Sequence, residues 1–296
     1  MEFFQYLAPT KVIFGRGTEA RTGALCKEAG ATKVLIHYGG HSAKKSGLID
    51  RICASLQAEG ISYTALGGVV PNPRLSKVYE GIELGRKEKI DFILAVGGGS
   101  VIDSAKAIGY GLTNEGDVWD YYTGKAPQAC MPIGAVLTIA AAGSEMSNAS
   151  IITNENGWLK RGAYSPYAYC KFAVMNPKLT YTLPAYQTAS GCTDIIVHSL
   201  ERFFTKPDVK QLNLTDGIAE TLIKNVMRNV KAALKKPDDY DARAEIMWSG
   251  TLSHNDINGD PTFADCARPQ LQTQPGGPVD IAPGPSPAPV LEHWAP

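Results

Sequence analysis

The segment Phe92-Ile-Leu-Ala-Val-Gly-Gly-Gly-Ser-Val-Ile-Asp-Ser-Ala-Lys106 constrains this chain more than any other. A short apolar run ends in three glycines and passes at once into a helix-compatible stretch. Glycines let a backbone come close to a ligand, and the helix that follows offers unpaired N–H groups and the positive end of its dipole. Such a turn is a ready anion site, with phosphate its usual occupant. Turns of this kind also serve only to pack a helix on a sheet, but three glycines in a row exceed what a tight turn needs.

The flanking sequence repeats the same alternation. Residues 33–37 read as a buried strand and lead into Tyr38-Gly39-Gly40-His41-Ser42. Leu48, Ile49, Ile52 and Leu56 then mark one helical face, with Gly60 as its stop. A strand over 62–66 leads to the turn Pro71-Asn72-Pro73, and Leu75, Val78, Tyr79 and Ile82 repeat at helical spacing before the strand at 92–96. Strands alternating with helices of this length predict βαβ units and a parallel sheet, which binds ligands at the carboxyl ends of its strands. Both glycine clusters fall there.

After Asn176-Pro177 the character changes. Leu183-Pro184 opens a helical run in which Ile218, Leu222, Val226 and Val230 form an apolar stripe, and Asp238 or Asp239 can cap a further helix through Trp248. The division expected is an α/β dinucleotide-binding domain over 1–181, an all-helical metal and substrate domain over 182–257, and a tail over 258–296. Nine of the 19 prolines lie in that tail, which predicts a disordered or polyproline-like segment.

Charge excludes some functions. Lys plus Arg equals Asp plus Glu, at 29 each, which supplies no electrostatic reason for nucleic acid or an anionic membrane as partner. Neither a signal peptide nor a membrane span is expected. The six scattered cysteines read as buried thiols of a reducing cytoplasm.

Gly191-Cys-Thr-Asp194-Ile-Ile-Val-His198 places a carboxylate and an imidazole four apart on one helical face, while Ala189, Ile196, Leu200 and Phe203 fall largely on other faces and can pack the helix down. The pair can bind one divalent ion, or it can be a polar pair at a helix surface; a catalytic metal site takes three or four protein ligands. His37, His41, His254 and His293 lie in no ligand motif, and His37 reads as a packed core histidine. Thr138 to Glu145 supplies small residues and hydroxyls where a backbone could approach a ligand, or it is simply a loop. Asn72 could bond a polar ligand, though turn chemistry explains it equally. Lys160 reads as an exposed lysine in a Gly-containing loop, or as a ligand-facing cation.

Together these pieces resemble the iron-dependent (group III) alcohol dehydrogenases, most closely the NADPH-dependent butanol dehydrogenase and aldehyde reductase branch. The matching landmarks are Pro9 to Gly17, Tyr38 to Lys45, Pro71-Asn-Pro73, Ala95 to Asp103, Thr138 to Glu145, Thr180-Tyr-Thr-Leu-Pro184, Asp194 to His198 and Lys236 to Arg243. The resemblance covers about residues 5–257. It implies a soluble homo-oligomer, a dimer, that interconverts small alcohols and aldehydes. Asp194 and His198 would be ligands to Fe2+ or Zn2+. Gly39, Gly40, Ser42, Asn72, Gly97, Gly98, Gly99, Ser100, Asp103, Thr138, Ser144 and Lys160 would bind the dinucleotide. No carboxylate stands in 38–45 to oppose a 2′-phosphate, so NADP(H) is expected over NAD(H).

The departures bear on activity. In the family two further histidines, beyond the equivalent of residue 257, complete the metal site, whereas here the proline-rich tail follows with His293 near its end. The expectation is a member whose last part is replaced, as by a frameshift, which holds metal weakly, reduces aldehydes poorly and exposes apolar surface around Val226 and Trp248. A nucleotide-binding remnant without turnover is the alternative, and a dehydroquinate-synthase-like lyase a more distant one. Ala142 and Asn176 stand where the family usually has Thr and Asp, changes that look tolerable.

Overall fold

The computed structural model describes residues 6–204 and 213–257. Its first part alternates β1 (Lys11–Phe14), α1 (Thr22–Glu28), β2 (Lys33–Tyr38), α2 (Ser42–Lys45), α3 (Leu48–Ala58), β3 (Ser62–Leu66), α4 (Leu75–Glu88), β4 (Phe92–Gly97), α5 (Gly99–Thr113) and β5 (Ile133–Leu137). A hairpin of β6 (Ala149–Asn154) and β7 (Leu159–Tyr164) follows, then β8 (Phe172–Met175) and the helices α6 (Ala185–Phe204), α7 (Asn213–Lys235) and α8 (Tyr240–Ser253).

Six strands form one parallel sheet in the order β1-β8-β5-β4-β2-β3. Parallel neighbours need long crossovers, and helices supply most of them, covering both faces. That is why β4 is apolar throughout rather than alternating: every residue of it is buried. Leu35, Ile93, Ala95, Ile133 and Ala135 turn to the face packed by α4 and α5. Val34, Ile36, Phe92, Leu94, Val96 and Val136 turn to the other, with Leu25, Ile49 and Ile52 from α1 and α3.

The sequence reading finds β2, β3 and β4 and omits the remaining strands. β1 and β8 are four residues each, too short to show a period, and their partners lie far apart in sequence. In β7, Lys160 and Arg161 break the apolar pattern, because this antiparallel hairpin keeps one side wet. His37 is a core histidine, as expected. Its Nδ1–H donates to the Leu66 carbonyl (3.1 Å), which can only accept, so Nε2 accepts from Ser104 Oγ (2.9 Å). Burial pushes this imidazole down to about 4.

The helices α6, α7 and α8 pack on one another through Cys192, Ile195, Val226, Ala233, Ile246 and Met247. Asp239 is the residue that caps α8, its carboxylate accepting from Ala242 N (3.1 Å). Two expectations are corrected here. The inward face of α6 carries Asp194, Ile195 and His198, whereas Ala189, Ile196 and Leu200 are half-buried and Phe203 is exposed. Val226 is fully buried, against expectation, whereas Trp248 is exposed as expected, its ring meeting that of Phe14 edge-on at 6.1 Å. Among the described residues no helix is long and apolar enough to cross a membrane. The expectations for 258–296, His293 included, lie outside the described residues.

Candidate functional site

The carboxyl ends of the central strands open on one edge of the sheet. Gly39 and Gly40 follow β2, and Ser42 begins α2 on an exposed rim. Gly97 closes β4, and Gly98 leads into α5, whose first turn no side chain caps. A Cβ on Gly97 would lie 2.5 Å from Val101 Cγ2, and one on Gly98 2.2 Å from Ile139 Cγ2. Packing therefore demands both glycines. It does not account for the uncapped helix start, where Ser100 is half-buried and backbone N–H groups suit an anion.

Segment 138–151 walls this edge. Thr138 N donates to Gly97 O (3.1 Å). Ser144 Oγ, which would lie 3.3 Å from a Cβ on Gly99, donates to Asp103 Oδ1 (2.8 Å). Ile151 N donates to Asp103 Oδ2 (3.2 Å), and Ser150 Oγ to the Asp103 carbonyl (2.8 Å). Ser150 spends its only proton there, so Tyr122 Oη is the donor in the 2.6 Å bond between them. Burial lifts the Asp103 carboxyl to about 6 against the opposing charge of Lys106 and the Ser144 and Ile151 bonds.

Asn72 is buried at φ +53°, in the left-handed region that asparagine tolerates, and the next residue, Pro73, accepts Thr153 N from β6 (2.9 Å). Lys160 departs from the exposed-loop reading: it is half-buried on β7, and its positive charge acts on Asp103 and Asp194 together. Asn176 is accommodated because its Nδ2 donates to buried Glu19 Oε2 (2.7 Å), where an aspartate would face a second carboxylate.

The second half of the site stands on α6. A Cβ on Gly191 would sit 2.3 Å from Ala140 O, so only glycine lets this helix lie directly on segment 138–151. Asp194 is 1% exposed, and neither carboxylate oxygen meets a hydrogen-bond donor. His198 Nδ1 lies 4.0 Å from Asp194 Oδ2. Burial, reinforced by the negative charge of Glu201 and opposed by Lys160, pushes the Asp194 carboxyl up to about 7. A buried carboxylate beside an imidazole, with no donor to satisfy it, fits a cation. Among the described residues no third His, Cys, Asp or Glu joins them in a metal-holding cluster.

His254, which the sequence places in no ligand motif, has its ring 4.6 Å from that of His198 at 60°. The sequence reading omits Lys106 and Thr251. Lys106 carries one usable signal: it is the single basic residue of α5, a helix buried almost all round.

A parallel α/β unit with a glycine turn at its strand ends lies beside helices that present a buried Asp/His pair, an arrangement suited to an anion on one side and a cation on the other. The chain belongs to the iron-containing alcohol dehydrogenase family. The sequence model described as iron-containing alcohol dehydrogenase matches residues 9–177, and that of the Fe-containing family's C-terminal part matches 188–294, farther than the landmarks traced above. The chain is 40% identical over 257 residues to NADH-dependent butanol dehydrogenase A of Clostridium acetobutylicum, covering 86% of this chain and 65% of that protein. It is 35% identical over 264 residues to the NADPH-dependent aldehyde reductase YqhD of Escherichia coli, covering 88% and 66%. The crystal structure of NADH-dependent butanol dehydrogenase A from Thermotoga maritima superposes with a TM-score of 0.91 at 41% identity, over 97% of this chain and 72% of that one. The chain spans 65% of the length of three of the curated butanol dehydrogenases it matches and 75% of a fourth.

Proposed function

We propose that this chain is a nicotinamide-nucleotide-dependent oxidoreductase that interconverts small primary alcohols and aldehydes, working as a homo-oligomer. One observation carries the reading: segment 138–151 touches the glycine turn at Gly97 and Gly99 and the metal-suited helix at Gly191, so nucleotide and ion would meet across a single wall. Residues 1–181 form the nucleotide-binding unit in this reading, and 182–257 the helical unit. The relatives named above are dehydrogenases and reductases, which favours this reaction over that of a lyase.

Each residue has a stated part. The turn Gly97-Gly98-Gly99-Ser100 and the first turn of α5 hold the pyrophosphate; Gly39, Gly40 and Ser42 line the ribose rim, and Asn72, Thr138 and Lys160 close the edge. Asp103 holds Ser144 in place. Asp194 and His198 hold a divalent ion, iron or zinc, which supplies Lewis-acid polarisation of the substrate oxygen when bound. Replacing Asp194 with Asn keeps the shape and removes the charge. Metal content read by mass spectrometry is expected to fall severalfold in D194N and butyraldehyde reduction to be lost, while NADPH still binds. A D194N protein with unchanged metal and unchanged turnover would sink the reading.

The coenzyme proposed is NADPH rather than NADH. Ser42, Lys44 and Lys45 lie exposed on α2 next to the glycines, and no carboxylate stands in 38–45. Both forms are used by the relatives, so direct competition decides. Fluorescence titration is expected to show tighter NADPH binding, with the difference shrinking as salt screens the lysines. Equal affinities defeat this choice.

A further inference from the structure

Lys106 lies on α5 one turn beyond Asp103 and is fully buried. Its Nζ donates to three backbone carbonyls, those of Ser144 (2.8 Å), Ser147 (2.7 Å) and Ala149 (2.8 Å). An ammonium carries three N–H donors, and here each finds one acceptor. Ser144 and Ser147 precede β6 and Ala149 opens it, and the Ser144 carbonyl also accepts from Ser147 N (3.4 Å), so Lys106 ties three points of this irregular approach to the hairpin to one position on α5.

We propose that Lys106 is a positioning residue for the nicotinamide nucleotide, fixing segment 143–149 against the helix that starts at the glycine turn. The segment is the link between the two half-sites. Ser144 faces Gly99 and is bonded to Asp103, while Glu145 Oε1 accepts from Thr251 Oγ1 on α8 (2.5 Å). Gly143 presses on α8 as well, since a Cβ there would meet Gly250 O at 2.9 Å. Asp103 and Glu145 are buried carboxylates, and the charge of Lys106 favours the ionised form of both. Without it these three carbonyls lose the charged donor they share, and Ser144 is freed to leave the wall of the nucleotide site. A lysine suits this place because its cation is a compact head on a thin stem, which fits between a helix and an irregular loop.

The proposal rests on the nucleotide reading above, and the test separates the two. Lys106→Met keeps length and removes every donor; Lys106→Gln keeps two. Dissociation constants of NADPH and NADH are measured on wild type and both variants below the onset of unfolding, with thermal midpoints recorded alongside. K106M is expected to raise both constants by about tenfold or more, with K106Q intermediate. Hydrogen exchange in K106M is expected to quicken in 143–151 and not in the central strands. A merely structural lysine would lower the midpoint and leave the constants unmoved, and that result overturns the proposal. So does failure of both variants to fold, which would make Lys106 a requirement of the fold. If wild type binds neither nucleotide, the functional reading falls and this inference with it; normal wild-type binding matched by K106M defeats Lys106 alone.

Discussion

At the scale of single residues, buried polar groups decide more than apolar ones. His37 is an example, since a strand position that reads as core holds a titratable ring bonded at both nitrogens. Burial is the largest cause of its depressed value, with the charge of Lys77 adding and the Leu66 bond opposing. The unfolded ring titrates near 6.5 and the folded one at about 4, so the folded state binds fewer protons between these values. The stability held by neutral His37 is therefore complete above the unfolded value and is lost as pH falls through the folded one. Urea unfolding of wild type against His37→Gln should show wild type losing roughly 2 kcal/mol relative to the variant between pH 7.5 and pH 5. A constant difference across that range would mean the ring protonates without leaving its partners.

At the scale of elements, helix ends and glycine contacts set the frame. The sequence leaves Asp238 and Asp239 as equal candidates for the cap of α8, because neighbouring carboxylates can each precede a helix. Only the backbone turn at Pro237 chooses, placing Asp239 at extended φ/ψ with its carboxylate on Ala242 N. Asp239→Ala should lower stability by about 1 kcal/mol, and Asp238→Ala should lie within a few tenths of zero. Thermal denaturation of the pair checks the assignment, and equal losses would count against it. The α6 helix shows the opposite kind of limit. The Asp194/His198 spacing is legible at i, i+4, but which side of the helix faces inward is not, because apolar residues occur on several faces. Gly191 against Ala140 O settles the rotation and buries the polar pair.

For the whole molecule, the question is what joins the helical unit to the sheet. One answer is the buried pair of Glu145 and Thr251, where a hydroxyl from α8 satisfies a carboxylate of segment 138–151. Burial already raises the Glu145 carboxyl, and the Thr251 bond is the largest influence opposing that rise. Thr251→Val keeps the volume and leaves the carboxylate oxygen without that donor, which should cost about 1–3 kcal/mol. Chemical denaturation at neutral pH reads the loss, and a double variant with Glu145→Gln should recover part of it. If the valine variant is as stable as wild type, the join lies elsewhere, for instance where the Arg16 guanidinium stacks over the Tyr240 ring at 3.5 Å and Phe14 meets Trp248.

Local sequence determined the parallel α/β plan, because strands buried on both faces must be continuous apolar runs, and the run at 92–97 ending in glycines has few other solutions. It also determined the Asp194/His198 spacing and the core place of His37. Tertiary structure alone decided the rest. The short strands β1 and β8 pair only through long loop closure, so nothing local marks them. Lys160 reads as an exposed loop residue until the β6–β7 hairpin folds it toward the edge. Lys106, Thr251 and His254 gain their roles from partners that lie on other elements. A hydrophobic period is a property of neighbouring residues, whereas a satisfied buried charge is a property of the groups that folding brings around it.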